Sequence, residues 1–156
     1  MAVDNEQYRL WVASRWGVEL EGGEGFRAVH RLLGSVVEHR RMDAFALDAL
    51  GERFDLVYCC GILHRVENPL GLLRARTVGG GTVLVETYGV GPEDRNGPAI
   101  RVVEPGEVHA RDDFVYWGFG DAGLRRLARI AGFSRVESLV DVEVDGHPRL
   151  IARLVA

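Results

Sequence analysis

Four short stretches bring polar chemistry to positions where strands should end: Asp4, the trio Met42-Asp43-Ala44, the turn Cys60-Gly61-Ile62-Leu63-His64, and the pair Glu86 and Tyr88. In an open α/β sheet a ligand lies outside the carboxyl ends of the strands. A carboxylate placed there, with a helix following, accepts two hydrogen bonds from ribose hydroxyls, and Asp4 has that placement. Asp43 follows the next strand and can take the exocyclic amine of a purine, with Met42 and Ala44 packing on the base. Both acids equally suit the capping of backbone amides at a helix start. Gly61 follows the most apolar strand, and its missing side chain lets the backbone approach a bound molecule closely. His64 suits a general base or a substrate-orienting group near neutral pH. The alternative is a loop histidine bonded to neighbouring main chain.

The elements that must position these groups follow from periodicity. Residues 1–4 are a short stub ending in an acid, and apolar residues at helical spacing over 6–16 predict a helix closed by Gly17. A glycine-rich turn at 22–25 precedes a second helix over 26–33, closed by Gly34. A short strand over 36–40 and a weak helix over 44–50 come next. The run 54–60 is almost continuously apolar, the pattern of a strand buried on both faces of a parallel sheet. Pro69 opens a helix over 70–76, glycines 79–81 break it, and 82–87 (TVLVET) is another central strand. Residues 88–113 lack periodicity, as lids and substrate loops often do. An amphipathic helix over 121–131 is capped by Gly132. Segments 133–144 and 150–155 then alternate as an antiparallel hairpin around Asp145-Gly146. Alternating βα units predict an α/β Rossmann-like fold: a mostly parallel sheet with flanking helices and a C-terminal antiparallel hairpin, in one domain over 1–156.

Composition excludes several classes. The 156 residues are 47% hydrophobic and 27% charged, a globular balance rather than a disordered one. No apolar run reaches membrane-spanning length, and the acidic start lacks the character of a secretion signal. All 19 basic residues are arginine, and the net charge of −4 opposes broad nucleic-acid binding. Arg125, Arg126 and Arg129 read as a solvated helix face, and Trp11, Trp16 and Trp117 as packing residues. Cys59 and Cys60 are adjacent, so they point to opposite faces of a strand and rarely bridge each other. The pattern is that of a reducing, cytoplasmic setting without a zinc site.

Together these pieces resemble class I S-adenosylmethionine-dependent methyltransferases. The stretch FDLVYCCGILHRVENPLGLLR at 54–74 looks like the post-strand motif of a subgroup that includes the tRNA wobble-uridine carboxymethoxy- and methoxyuridine-type enzymes. Met42-Asp43-Ala44, VLVETYG at 83–89 and LRRLARIAGFSRVE at 124–137 occur in matching order. The resemblance implies S-adenosylmethionine as cofactor. It places Asp4 at the ribose, Asp43 at adenine between Met42 and Ala44, and Cys60 and Gly61 along the methionine moiety and sulfonium. His64 is then the favoured acid–base residue, with Glu86 and Tyr88 near the acceptor and the loop 88–113 covering it. The acceptor is a small molecule or a nucleoside.

Two departures stand out. The subgroup carries a Tyr-His pair where this chain has His64-Arg65. The family opens with a strand and a glycine-rich turn of G-x-G type, whereas GGEG at 22–25 follows a helix. The chain therefore reads as a domain short of its first βα unit, and the exposed sheet edges predict self-association. A catalytically inactive remnant serving as a binding or oligomerisation module is the second functional expectation.

Overall fold

A computed structural model of the chain describes residues 1–5, 7–75, 81–108, 112–144 and 146–156. The expected glycine break at 79–80 and Asp145 of the expected hairpin turn lie outside them. The elements follow one another as β1, α1, α2, β2, β3, α3, β4, β5, β6, α4, β7 and β8, with short 3-10 turns between some of them. Contacts divide the chain into two compact units, Met1–Gly51 and Glu52–Ala156.

In the first unit, β1 (Ala2–Asp4) pairs in parallel with β2 (His39–Arg41), with Asp4 opposite Arg41. The amide of Ala2 donates to the Glu38 carbonyl at 2.7 Å, and that of Met42 donates to the Asp4 carbonyl at 2.9 Å. This register moves the strand expected at 36–40 toward its C-terminal end and leaves Val36 fully outside it and exposed. Helices α1 (Gln7–Trp16) and α2 (Glu24–Leu33) form the crossover. Three arginines fasten the turn between them. Arg9 donates to the carbonyl of Leu20, Arg27 to that of Gly22 and Arg41 to that of Glu21.

The second unit is built on a four-stranded sheet in the order β3 (Leu56–Cys60), β4 (Thr82–Tyr88), β8 (His147–Val155), β7 (Arg135–Val144). The β3–β4 pair is parallel and the other two pairs are antiparallel. The α/β class holds, with a sheet that is mixed rather than mostly parallel. One face is buried through Cys59, Val83, Val85, Ala152 and Leu154, together with Leu72 and Leu73 of α3 (Pro69–Ala75) and Leu124 and Ala128 of α4 (Asp121–Ala131). Each fully buried leucine or valine contributes about 1.5–3 kcal/mol of transfer free energy. Arg125 on α4 is bound rather than solvated: it donates to Asp121 at 2.7 Å and to the Val136 carbonyl at 2.6 Å.

β3 differs from its expected burial on both faces. Tyr58 is 74% exposed and Leu56 is exposed beside it. Among the described residues β4 is the only strand paired with β3. A second surprise lies in and after the segment 88–113. It carries a short strand β5 (Ile100–Val102), which pairs antiparallel with β6 (Trp117–Phe119). Val103, Val108 and Val115 gather around Tyr88 in a small buried cluster.

Candidate functional site

In the first unit, the parallel pairing of β1 and β2 brings Asp4 and the Met42-Asp43-Ala44 trio to the same, carboxyl, end of the two strands. Asp4 is exposed, and its Oδ1 accepts the amide of Asn5 at 2.8 Å. Asp43 is exposed as well, and its Oδ1 accepts the amide of Phe45 at 2.8 Å at the start of the 3-10 helix Ala44–Leu50. Asp43 thus makes the capping bond of the alternative reading, whereas the Asp4 bond to the adjacent Asn5 amide lies ahead of helix Gln7–Trp16 and caps none of its amides. A carboxylate has about four lone-pair sites, so one such bond leaves acceptor capacity for ligand hydroxyl or amine groups. Met42 and Ala44 are half-buried on either side of Asp43.

In the second unit, the parallel register sets Cys60 against Glu86, and the amide of Gly61 extends the ladder by donating to the Glu86 carbonyl at 3.1 Å. Gly61 has φ +72°, a left-handed conformation that strains any side chain. Among the described residues, and apart from its two chain neighbours, a Cβ built there would meet one heavy atom within 4 Å, Oε2 of Glu86 at 3.9 Å. The backbone at this strand end is therefore bare, with a carboxylate beside it. Such a cradle fits a ligand that lies close along the main chain.

His64 follows three residues later in the 3-10 turn Leu63–Arg65 and is 1% exposed. The amide of Tyr88 donates to its Nδ1 at 3.2 Å, so the ring proton lies on Nε2. The Thr87 hydroxyl stands 3.3 Å from the same nitrogen. The carbonyl of His64 accepts the Tyr116 amide at 2.8 Å. His64 is thus the main-chain-bonded histidine of the second alternative, tying the end of β4 to the segment that leads into β6.

Further latches join those segments. Arg65 donates to both carboxylate oxygens of Asp112, at 3.2 and 2.8 Å, and Trp117 Nε1 donates to the Val66 carbonyl at 2.8 Å. Asp112 also accepts the Phe114 amide at 3.0 Å. Tyr116 beyond it is held above the ordinary phenol range, first by burial and then by the negative charges of Glu67, Asp112 and Asp113.

Two polar residues of the site escaped sequence reasoning. Arg149 on β8 sits opposite Tyr88 in register, pairs with Glu86 at 3.4 Å and lies 5.9 Å over the Tyr88 ring. His147 stands edge-on to the same ring at 6.2 Å between centroids. Tyr88 itself is buried, whereas Cys60 and Glu86 are half-buried. On the exposed side of β3, Tyr58 is pushed above the ordinary phenol range, chiefly by its hydrogen bond to the Cys60 sulfur and the repulsion its phenolate would meet from a Cys60 thiolate. The negative charge of Glu86 adds to the shift.

No family model matches the chain. It is 22% identical over 123 residues, 77% of its length, to a tRNA U34 carboxymethyltransferase of Campylobacter jejuni subsp. jejuni serotype O:6, and it covers 40% of that protein. Among solved structures, the N-terminal domain of EvdMO1 in the presence of SAH and D-fucose is 27% identical. That match has a TM-score of 0.62 and covers 83% of this chain and 60% of the other. The Burkholderia thailandensis 1,6-didemethyltoxoflavin-N1-methyltransferase, with bound 1,6-didemethyltoxoflavin and S-adenosylhomocysteine, is 21% identical at TM-score 0.65. There the coverage is 88% of this chain and 58% of that one, a likeness of fold. The chain thus spans 40% of the curated relative and about three-fifths of these two solved chains.

Proposed function

We propose that this chain, a class I methyltransferase by fold and by its relatives, binds S-adenosylmethionine and transfers a methyl group to a small-molecule or nucleoside acceptor. The observation that carries the reading is the left-handed Gly61 at the carboxyl end of β3, with the Glu86 carboxylate of β4 beside it and Arg149 of β8 paired to that carboxylate. When bound, the cofactor supplies a methyl group on a positively charged sulfur, so the protein has mainly to align acceptor and methyl. Cys60 and Gly61 accommodate the methionine portion. In the first unit, the resemblance assigns Asp4 to the ribose hydroxyls, Asp43 to the adenine amine, and Met42 and Ala44 to the flanks of the ring. Glu86 and Tyr88 border the acceptor.

His64 acts in this reading as a positioning residue. Its burial keeps it from the acceptor, and its bonds to the Tyr88 amide and Tyr116 hold the β4 end in place. The acceptor class takes support from the named relatives, one acting on a tRNA uridine and one crystallised in the presence of a sugar. No observation favours a non-catalytic binding module. Cys59 and Cys60 carry no disulfide, which fits a cytoplasmic setting. Among the described residues, no helix is long and apolar enough to cross a membrane.

Methyl transfer is tested by incubating the chain with methyl-labelled S-adenosylmethionine and a panel of nucleosides, tRNA and deoxysugars. Acceptor-dependent S-adenosylhomocysteine formation supports the reading. Binding of the cofactor with no turnover on any acceptor would restrict the chain to a cofactor-binding role.

The self-association expected from open sheet edges belongs to the same proposal. β3 pairs only with β4 among the described residues, and its outer face carries Leu56 and Tyr58. Unpaired edges of this kind recruit further strands. Light scattering across a dilution series should give a mass above that of the monomer. A monomer mass at every concentration would remove this part.

A further inference from the structure

Glu86, set above beside the acceptor, has a second role that rests on the proposed placement of the cofactor's methionine end at Gly61. Residues along β4 alternate, with Val83, Val85 and Thr87 buried and Thr82, Leu84 and Glu86 half-buried on the opposite face. Glu86 is therefore the charged residue at the carboxyl end of that open face, level with Cys60. Its two oxygens are divided. Oε1 faces Arg149 at 3.4 Å, and Oε2 is the atom nearest the bare side of Gly61. The Arg149 side chain is 15% exposed and that of Glu86 23%, so the pair is partly withdrawn from water. A partly desolvated carboxylate interacts with a nearby cation more strongly than one in bulk solvent does.

We propose that Glu86 is the residue that distinguishes the charged cofactor from its neutral product. The sulfonium of S-adenosylmethionine carries a positive charge, and S-adenosylhomocysteine, with a thioether in its place, does not. A carboxylate oxygen directed at Gly61 favours the first and is indifferent to the second. Arg149 holds the carboxylate by its other oxygen and keeps it from turning away into solvent. The arrangement favours loading of the cofactor and loosens the product once the methyl and its charge have left.

The test is calorimetric titration of wild type and Glu86→Gln with S-adenosylmethionine and S-adenosylhomocysteine in turn. Glutamine keeps shape and hydrogen-bonding capacity while removing the charge. Wild type should prefer the charged ligand, and Glu86→Gln should lose about fivefold of that preference, the size of one partly screened charge contact. Affinity for S-adenosylhomocysteine should stay nearly constant. Glu86→Asp, which keeps the charge and draws it back from Gly61, should give an intermediate preference and serves if the glutamine variant does not fold. An unchanged ratio of the two affinities in both variants overturns the inference and leaves the cofactor reading intact. Failure of wild type to bind either ligand overturns the cofactor reading itself, and this inference with it.

Discussion

The Nδ1 atom of His64 receives the backbone amide of Tyr88 at 3.2 Å, so a side chain in the turn after β3 holds the last residue of β4. The bond closes the gap where the two parallel strands end and their ladder runs out. Both residues are buried, which makes the bond costly to lose.

His64→Leu should leave the Tyr88 amide without an acceptor in the interior and destabilise the protein by about 2 kcal/mol. Urea unfolding followed by circular dichroism measures the loss. His64→Asn offers an amide oxygen near the former nitrogen and should recover part of the stability. Equal losses in the two variants would mean that volume, and not the hydrogen bond, is what His64 contributes.

The bidentate pair of Arg65 and Asp112 fastens the turn after β3 to the segment before β6. Both side chains are largely withdrawn from solvent, and charge-assisted two-point contacts are among the stronger ones. A double-mutant cycle with Arg65→Ala and Asp112→Ala should give a coupling energy of about 1 kcal/mol. Limited proteolysis of either single variant should show faster cleavage near residue 112. Additive losses with no coupling would contradict this role.

Tyr116 should set an alkaline limit. Its folded-state phenol is raised above the ordinary value of 10.0, so the neutral form is favoured by folding. The associated stability is fully present below the unfolded value and is lost as pH rises through the folded one. Stability measured from pH 8 upward should therefore fall above about 10. Tyr116→Phe, which cannot ionise, should flatten that limb, and an unaltered limb would assign the fall to other groups.

Much of the element order was legible, because helical and strand periodicities are local properties. The helices at 7–16, 24–33 and 121–131 and the strands at 56–60 and 82–88 lie within a few residues of where apolar spacing put them. Neighbour choice was not legible. The apolar run through Leu56 and Tyr58 looks like a strand buried on both faces, and periodicity carries no record of its standing at an edge. Strands β5 and β6 have three residues each, too short for any alternation to register.

The candidate site was legible on the same terms. Residues at or just after the ends of strands, such as Glu86 and Gly61, were found from position along the chain. Arg149 was not, because its place opposite Tyr88 depends on the antiparallel return of β8. The alternation Arg149, Ile151, Arg153 marks one face of that strand, and only the register says which partner it meets. His64 was legible as a polar residue in the right turn. Its enclosure depends on the segment through Tyr116 closing over it.

Titration of S-adenosylhomocysteine into wild type and Gly61→Val tests most directly whether the main chain at Gly61 lies along the cofactor. Wild type should release a saturable binding heat. Gly61→Val, with branched atoms filling the cradle, should bind about tenfold or more weakly, a loss of about 1.4 kcal/mol or greater. A circular dichroism melt confirms that the variant is folded despite the strain of its left-handed backbone, about 1–2 kcal/mol. A folded Gly61→Val that binds as tightly as wild type, or a wild type that releases no heat, would contradict the account.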